Sequence, residues 1–150
     1  MLTQSRYPLM LAALLSISFA SNLQAEQMFS DEHYEIHYNA FNSTLIPAEV
    51  ASRYDITRSG SRGLINVAVL EKQPDGSTSP VSAQVTGEVR NLIQQIQPVD
   101  FREITETDAI YSIGSFQFTN EDQLTFKLEV QPDPDRSAYQ IEFQQTFYVD

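Results

Sequence analysis

The sequence predicts an all-β protein: an immunoglobulin-like antiparallel β-sandwich of about seven strands, preceded by a cleaved signal peptide. Three observations lead there. Apolar and polar residues alternate with period two along most of the chain after residue 25, as in strands with one buried face. Turn-forming clusters, Pro74-Asp75-Gly76, Thr119-Asn120-Glu121-Asp122 and Pro132-Asp133-Pro134-Asp135, separate the alternating runs. The aromatic supply is 7 Tyr and 9 Phe with no Trp, residues suited to a pleated, half-buried surface. Short strands with one apolar face each need a second sheet to cover them, hence a sandwich. The Cys and Trp of antibody domains are absent, so the immunoglobulin-like reading rests on strand number and patterning. An outer-membrane barrel also alternates, but it needs strands of about 9–11 residues and an unbroken lipid-facing band. Here several runs are shorter, and Gln94 to Gln97 and Gln144-Gln145 interrupt the apolar faces.

Residues 1–25 read as a secretory signal peptide. Arg6 supplies a positive start, and Leu9 to Ala20 is an apolar core within the range of about 7–15 residues for such leaders and too short to span a bilayer. Leu23-Gln24-Ala25 is the favoured cleavage site, with Ser18-Phe19-Ala20 as a second candidate. Residues 26–150 then form a single sandwich domain. Removing the leader takes one Arg and no acid, so the formal charge of −11 becomes −12. With no Cys in the chain, no lipid-accepting residue follows the cleavage point, and no membrane span is expected in the mature chain.

The strands follow in order. Tyr34, Ile36, Tyr38 and Ala40 share one face, with His33, Glu35, His37 and Asn39 opposite. Pro47–Tyr54 is compatible with one or two helical turns, Pro suiting a helix start. Ile65, Val67 and Val69 form the next apolar face, with Leu64, Ala68 and Leu70 leaving the reverse face apolar as well. Val81 to Val89 reads as one continuous alternating strand, Val99 to Glu103 as a less regular one, and Ala109, Tyr111 and Ile113 as another. Leu124, Phe126, Leu128 and Val130, then Tyr139, Ile141, Phe143, Phe147 and Val149, complete the set. Val85, Phe126, Leu128, Ile141 and Phe143 are expected between the sheets.

Composition excludes several functions. With 9 Lys+Arg against 20 Asp+Glu, nucleic acid is not an expected partner, because binding phosphates needs clustered cations. Lacking Cys, the chain has no disulfide, thiol nucleophile, Cys-ligated zinc or iron–sulfur cluster. His33 and His37, the two histidines, would lie ~13 Å apart on a strand at ~3.3 Å per residue and so cannot share one ion; no metal and no cofactor are assigned. There is no Gly-x-Ser-x-Gly elbow, His-Glu-x-x-His or phosphate loop, so no catalytic residue is assigned and the protein is not expected to be an enzyme. Asp133-Pro134-Asp135 reads as a solvated turn rather than part of a calcium site. Asn42-Ser43-Thr44 is a glycosylation sequon in form and a strand-ending turn in chemistry.

One local contrast marks a candidate binding site. Arg53, Arg58 and Arg62 face only Asp55 between Ala51 and Gly63, a cationic patch in an acidic chain. The loop from Arg58 to Gly63 is rich in Ser and Gly and expected to be exposed, with guanidinium groups suited to carboxylate or phosphate. The expected partner is an envelope protein, a peptide or an anionic ligand, bound by a non-enzymatic module. The alternative is a hydrolase with paired carboxylates, one of raised pKa, in a concave pocket. The sequence indicates no oligomeric state.

The segment from His33 to Thr44, ending Phe41-Asn42-Ser43-Thr44 and followed by Pro47-Ala48-Glu49-Val50-Ala51, resembles the opening motif of a family of secreted bacterial proteins, the domain of unknown function 4426. Ile65 to Leu70, Pro80 to Ala83 with Gly87, Asn91-Leu92, Phe101-Arg102-Glu103-Ile104 and Asp108 to Tyr111 extend the resemblance over nearly the whole mature chain. Ile93-Gln94-Gln95 stands where the family has a glycine-containing turn. The resemblance implies a periplasmic home in Gram-negative bacteria and carries over no activity, ligand or catalytic residue.

N-terminal sequencing of the exported protein should read from Glu26, with the protein in the soluble periplasmic fraction. Intact Met1 on membrane-bound material would refute the leader assignment.

Overall fold

A computed structural model describes residues 27–150; the expected signal peptide lies outside the described residues. The chain runs through β1 (Gln27–Ser30), β2 (Tyr34–Asn42), a 3-10 turn (Ser43–Leu45), α1 (Ala48–Arg53), β3 (Arg62–Lys72), β4 (Thr78–Val81), β5 (Gln84–Arg90), β6 (Ile96–Val99), β7 (Phe101–Thr105), β8 (Ile110–Gln117), β9 (Asp122–Gln131) and β10 (Tyr139–Phe147). Two antiparallel sheets result. The first is ordered β1-β2-β3-β8-β7 with β4 also on β3; the second is β10-β9-β5-β6. The expected sandwich is therefore present, with more strands than the seven alternating runs.

The additional strands have a geometric origin. The run from Val81 to Val89 bends at Ser82-Ala83: β4 pairs with β3 in the first sheet and β5 with β9 in the second. The segment around Val99 bends likewise at Asp100, passing from β6 in the second sheet to β7 in the first. Strands that turn a corner this way keep their inward residues inward, so the alternation continues across the bend. Gly114 permits the second corner: a Cβ there would lie 2.3 Å from Val99 Cγ1. β1 arises instead as a short edge strand on β2, mostly exposed.

The core is aromatic. Phe126, Phe116 and Phe147 are almost fully buried, and Leu128, Ile141 and Phe143 are buried beside them as expected. Val85 is only partly buried against this cluster. Phe126 stacks on Phe143 (4.6 Å, 10°) within the second sheet, while Phe116, from the first, meets Phe126 and Phe147 edge-on, both at 5.1 Å. Offset-stacked and edge-on pairs are the arrangements that ring quadrupoles favour. Phe116 lies opposite Gly63 in register, and a Cβ on Gly63 would come within 2.2 Å of its ring. The glycine thus gives the ring its space.

The glutamines that interrupt the apolar faces fasten the open sides. Gln97, on β6, donates from Nε2 to the carbonyl of Gln117 (3.1 Å) and accepts from its N–H (2.7 Å). Gln145, on β10, donates to the carbonyl of Ala40 in β2 (3.0 Å). At the start of the same strand, the Tyr139 hydroxyl donates to Asp31 Oδ2 (2.6 Å), while Asp31 Oδ1 accepts from the backbone N–H groups of His33 and Tyr34. Burial pushes the Asp31 carboxyl up, but these hydrogen bonds outweigh it and the net shift is downward. Burial and the bond to Asp31 raise Tyr139 to about 12.

Two sets of measurements follow. Gly63→Ala should lose about 1–3 kcal/mol by overpacking, and Phe126→Ala about 3–5 kcal/mol by cavity formation, both read by urea denaturation; a Gly63→Ala protein within ~0.5 kcal/mol of wild type, as at an ordinary surface position, would contradict the ring-over-glycine packing. The Asp31–Tyr139 latch gives a pH signature. A lowered Asp31 stabilises the fold above its ordinary value of 3.8 and ceases to do so as pH falls through the lowered folded value. A raised Tyr139 stabilises below its ordinary 10.0 and loses that contribution as pH rises towards about 12. The stability gap between wild type and Tyr139→Phe should therefore be flat between those limits and narrow on both sides; a gap independent of pH would refute the latch.

Candidate functional site

The loop carrying the cationic patch is tied down more tightly than its Ser/Gly composition implies. Ser43 is fully buried. Its hydroxyl donates to the carbonyl of Ser59 (3.0 Å) and accepts from the Ser59 N–H (2.9 Å). Gly60 accepts from the N–H of Asp150 (3.2 Å), and a Cβ at Gly60 would sit 2.8 Å from the Asp150 carbonyl oxygen. Asn42 donates to the carbonyl of Tyr148 (3.1 Å), and Thr44 Oγ1 to the Asp150 carboxylate. The Asn42-Ser43-Thr44 string is thus a clamp on the loop and on the segment after β10. Ser59 and Gly60 are half-buried, which corrects the expectation of a freely exposed loop: their backbone groups are consumed by this clamp.

The clamp sends the three arginines in different directions. Arg53 is exposed at the end of α1. Arg58 is exposed, and its Nη2 donates to the carbonyl of Thr44 (3.1 Å). Arg62, half-buried as the first residue of β3, points its guanidinium across the outer face of the first sheet, donating from Nη1 to Ser115 Oγ (3.2 Å). There it shares a hollow of about 240 Å³ with Arg102, a residue of β7 that the charge pattern alone did not single out. Leu64, Ile113 and Phe101 line the hollow, with Ile56 on the side of the chain after α1, and the acids Asp55 and Asp100 line it as well. The apolar reverse face of β3 makes this possible: Leu64 and Ala51 are both buried although they lie outside the main core.

The segment after α1 is pinned beside the hollow. The Tyr54 carbonyl accepts from Arg102 Nη2, and the Tyr54 hydroxyl donates to Glu106. That bond to Glu106 holds the Tyr54 phenol above its usual acidity range. Among the described residues neither Arg62 nor Arg102 is in an ion pair with a carboxylate. A guanidinium has five N–H donors, so each keeps donors beyond the single bond it makes.

The remaining candidates are local structure. His33 pairs with Glu32 and His37 with Glu35, both at 3.3 Å, and no group of three or more His, Asp or Glu among the described residues is placed to hold a metal ion. Asp133 caps its own turn, accepting from the Asp135 N–H (2.9 Å) and facing Arg136 at 3.6 Å. The carboxyl groups whose acidity departs clearly from the ordinary value, Asp31, Asp75 and Asp150, are all shifted downward, opposite to what a general acid requires. Among the described residues no helix is long and apolar enough to cross a membrane.

Comparison with known proteins agrees with this architecture. A DUF4426 family protein from Pseudomonas aeruginosa PAO1, known from its crystal structure, is 32% identical, with a TM-score of 0.73 over 85% of this chain and 98% of that one. A copper-bound variant of FetP from uropathogenic Escherichia coli strain F11 is 8% identical, with a TM-score of 0.55 over 83% of this chain and 96% of that one, a likeness of fold alone. No curated protein matches the sequence. The family model for the domain of unknown function DUF4426 matches residues 28–150, and the chain belongs to that family.

Proposed function

We propose that the protein is an exported, periplasmic binding module without catalytic activity, and that it captures a small carboxylate- or phosphate-bearing ligand in the hollow between Arg62 and Arg102. One observation carries this reading. In a chain where acids outnumber bases 20 to 9, two guanidinium groups line one hollow of about 240 Å³, and each spends a single bond on a neutral oxygen. Arg is the side chain whose planar fork matches a carboxylate or phosphate bidentately. The hollow is smaller than the ~300–1,000 Å³ of drug-sized sites, which favours a small anion or one anionic group of a larger partner. Asp55 and Asp100 line the same hollow and would disfavour a ligand of high charge density. They are also the pair on which a carboxylate hydrolase in this hollow would have to rely.

The test is thermal and chemical unfolding with inorganic phosphate and with succinate as probes. A ligand at about 100 times its Kd stabilises the native state by about 2.7 kcal/mol. That stabilisation should vanish in Arg62→Gln with Arg102→Gln and persist in Arg58→Gln and Arg53→Gln. Stabilisation that survives the Arg62/Arg102 pair, or none with either probe, would refute the assignment.

A further inference from the structure

The hollow between Arg62 and Arg102 holds charge of both signs. Asp55 and Asp100 line it with the two arginines, and both acids are exposed. Each acid lies next to the group that anchors an arginine. Asp55 follows Tyr54, whose carbonyl takes the Arg102 bond. Asp100 adjoins Phe101, which pairs in register with Gly114, beside the Ser115 that takes the Arg62 bond. Yet among the described residues no ion pair joins either acid to either arginine. The guanidinium groups are tethered to neutral oxygens, and the short Asp side chains stay close to a fixed backbone. Asp100 is the single residue between β6 and β7, which belong to different sheets.

Asp55 also holds a place where the helix itself asks for another residue. α1 closes with the Ile56 N–H donating to the carbonyl of Ala51 (2.8 Å) and the Asp55 N–H to that of Ser52 (3.4 Å). In such a closing turn the residue after the cap is left-handed and is usually glycine. Here it is Asp55, at φ 53°. A side chain is strained there, and an acid beside the last carbonyls of a helix runs against the helix dipole. Neither feature serves α1. The same turn does fix Asp55 beside Ile56, so that both line the hollow.

We propose, resting on the anion-binding reading of this hollow, that its ligand is a free α-amino acid with an apolar side chain, bound as the zwitterion. An arginine would grip the carboxylate with two parallel N–H bonds. An aspartate would accept from the ammonium, whose three N–H groups match carboxylate oxygens. Opposite charges that the fold brings together but leaves unpaired are thus bridged by one molecule carrying both. A zwitterion has no net charge, so a chain of net −11 does not repel it as it would a free anion. Ile56, Phe101 and Ile113 are half-buried and line the same hollow, giving the aliphatic side chain a surface to cover. The hollow's volume of about 240 Å³ equals about eight waters at ~30 Å³ each, the bulk of one amino acid rather than of a peptide.

The experiment is calorimetric titration of the purified protein with leucine, with isocaproate, which lacks the ammonium, and with isoamylamine, which lacks the carboxylate. Leucine should bind at least about tenfold more tightly than either, the factor expected of one charge-assisted hydrogen bond. Asp55→Asn with Asp100→Asn should bring leucine down to the level of isocaproate without weakening isocaproate. Arg62→Gln with Arg102→Gln should abolish both. Asp55→Gly should fold with an equal or higher urea midpoint and still lose affinity for leucine, a pairing that a structural role for Asp55 would not produce. Leucine no tighter than isocaproate, or leucine undiminished by the paired Asp→Asn changes, would overturn the zwitterion; with binding still dependent on the arginines, the anion-binding reading would stand. Leucylleucine binding more tightly than leucine would overturn the single amino acid. Isoamylamine matching leucine, or no binding by any of these molecules or by phosphate and succinate, would overturn both readings.

Discussion

The ring of Phe116 lying over Gly63 is the contact on which the sandwich depends. Two sheets with side chains on their facing surfaces settle about 10 Å apart, and something must fill that space without voids. Phe116 projects from β8, next to β3 in the first sheet, into the aromatic cluster of the second, meeting Phe126 and Phe147 edge-on. It can do so because its partner across β3 has no side chain. With that ring in place, β3 is fixed at the centre of its sheet. Arg62 and Leu64, on the opposite face of the same strand, are fixed with it. The position of the candidate anion site is therefore set from behind, by core packing.

A chain without Cys must close its open sides by other means, and it does so with side chains that bond to backbone or to each other. Gln97 and Gln145 reach from the two edge strands of one sheet to carbonyls of the other. Asp31 and Tyr139 do the same between side chains, and Ser82 donates to Glu103 (2.8 Å) where β4 turns the corner to β5. Each satisfies groups that would otherwise be orphaned near the edge of an apolar layer. The outer face of the first sheet is covered differently. Leu64 is buried on that face, and the hollow opens beside it.

Much of this was legible in the residues. The alternation of Leu124 to Val130 and of Tyr139 to Phe147 marked β9 and β10, and the apolar reverse face of Leu64 signalled that something covers it. Period two could not reveal the corners at Ser82-Ala83 and Asp100, because a strand that changes sheets keeps its inward face. Gln97 and Gln145 looked like breaks in the apolar pattern, whereas they are edge positions that need a polar bridge. Local charge counting found Arg62 but grouped it with Arg53 and Arg58, its neighbours in sequence. Its neighbour in space, Arg102, sits on β7 two strands away. The signal for it was its place in the Phe101-Arg102-Glu103-Ile104 string, with Ile113 opposite in register.

The Asn42-Ser43-Thr44 clamp has a consequence for how the chain acquires its shape. Its bonds to Tyr148 and Asp150 join residues 106 apart in sequence, the Asp31–Tyr139 bond residues 108 apart, and the Gln145–Ala40 bond residues 105 apart. Such a fold has high contact order, and closing loops of that length takes entropy before any contact rewards it. A chain emerging N-terminus first can pair β2 with β3 early, yet the bonds that tie them to the second sheet wait for its final strand. Until then the aromatic cluster lacks Phe143 and Phe147, and a half-made sheet offers its apolar face to whatever is near. The acidic charge that repels copies of this chain from one another is most useful in that interval, before the last segment draws the sandwich shut.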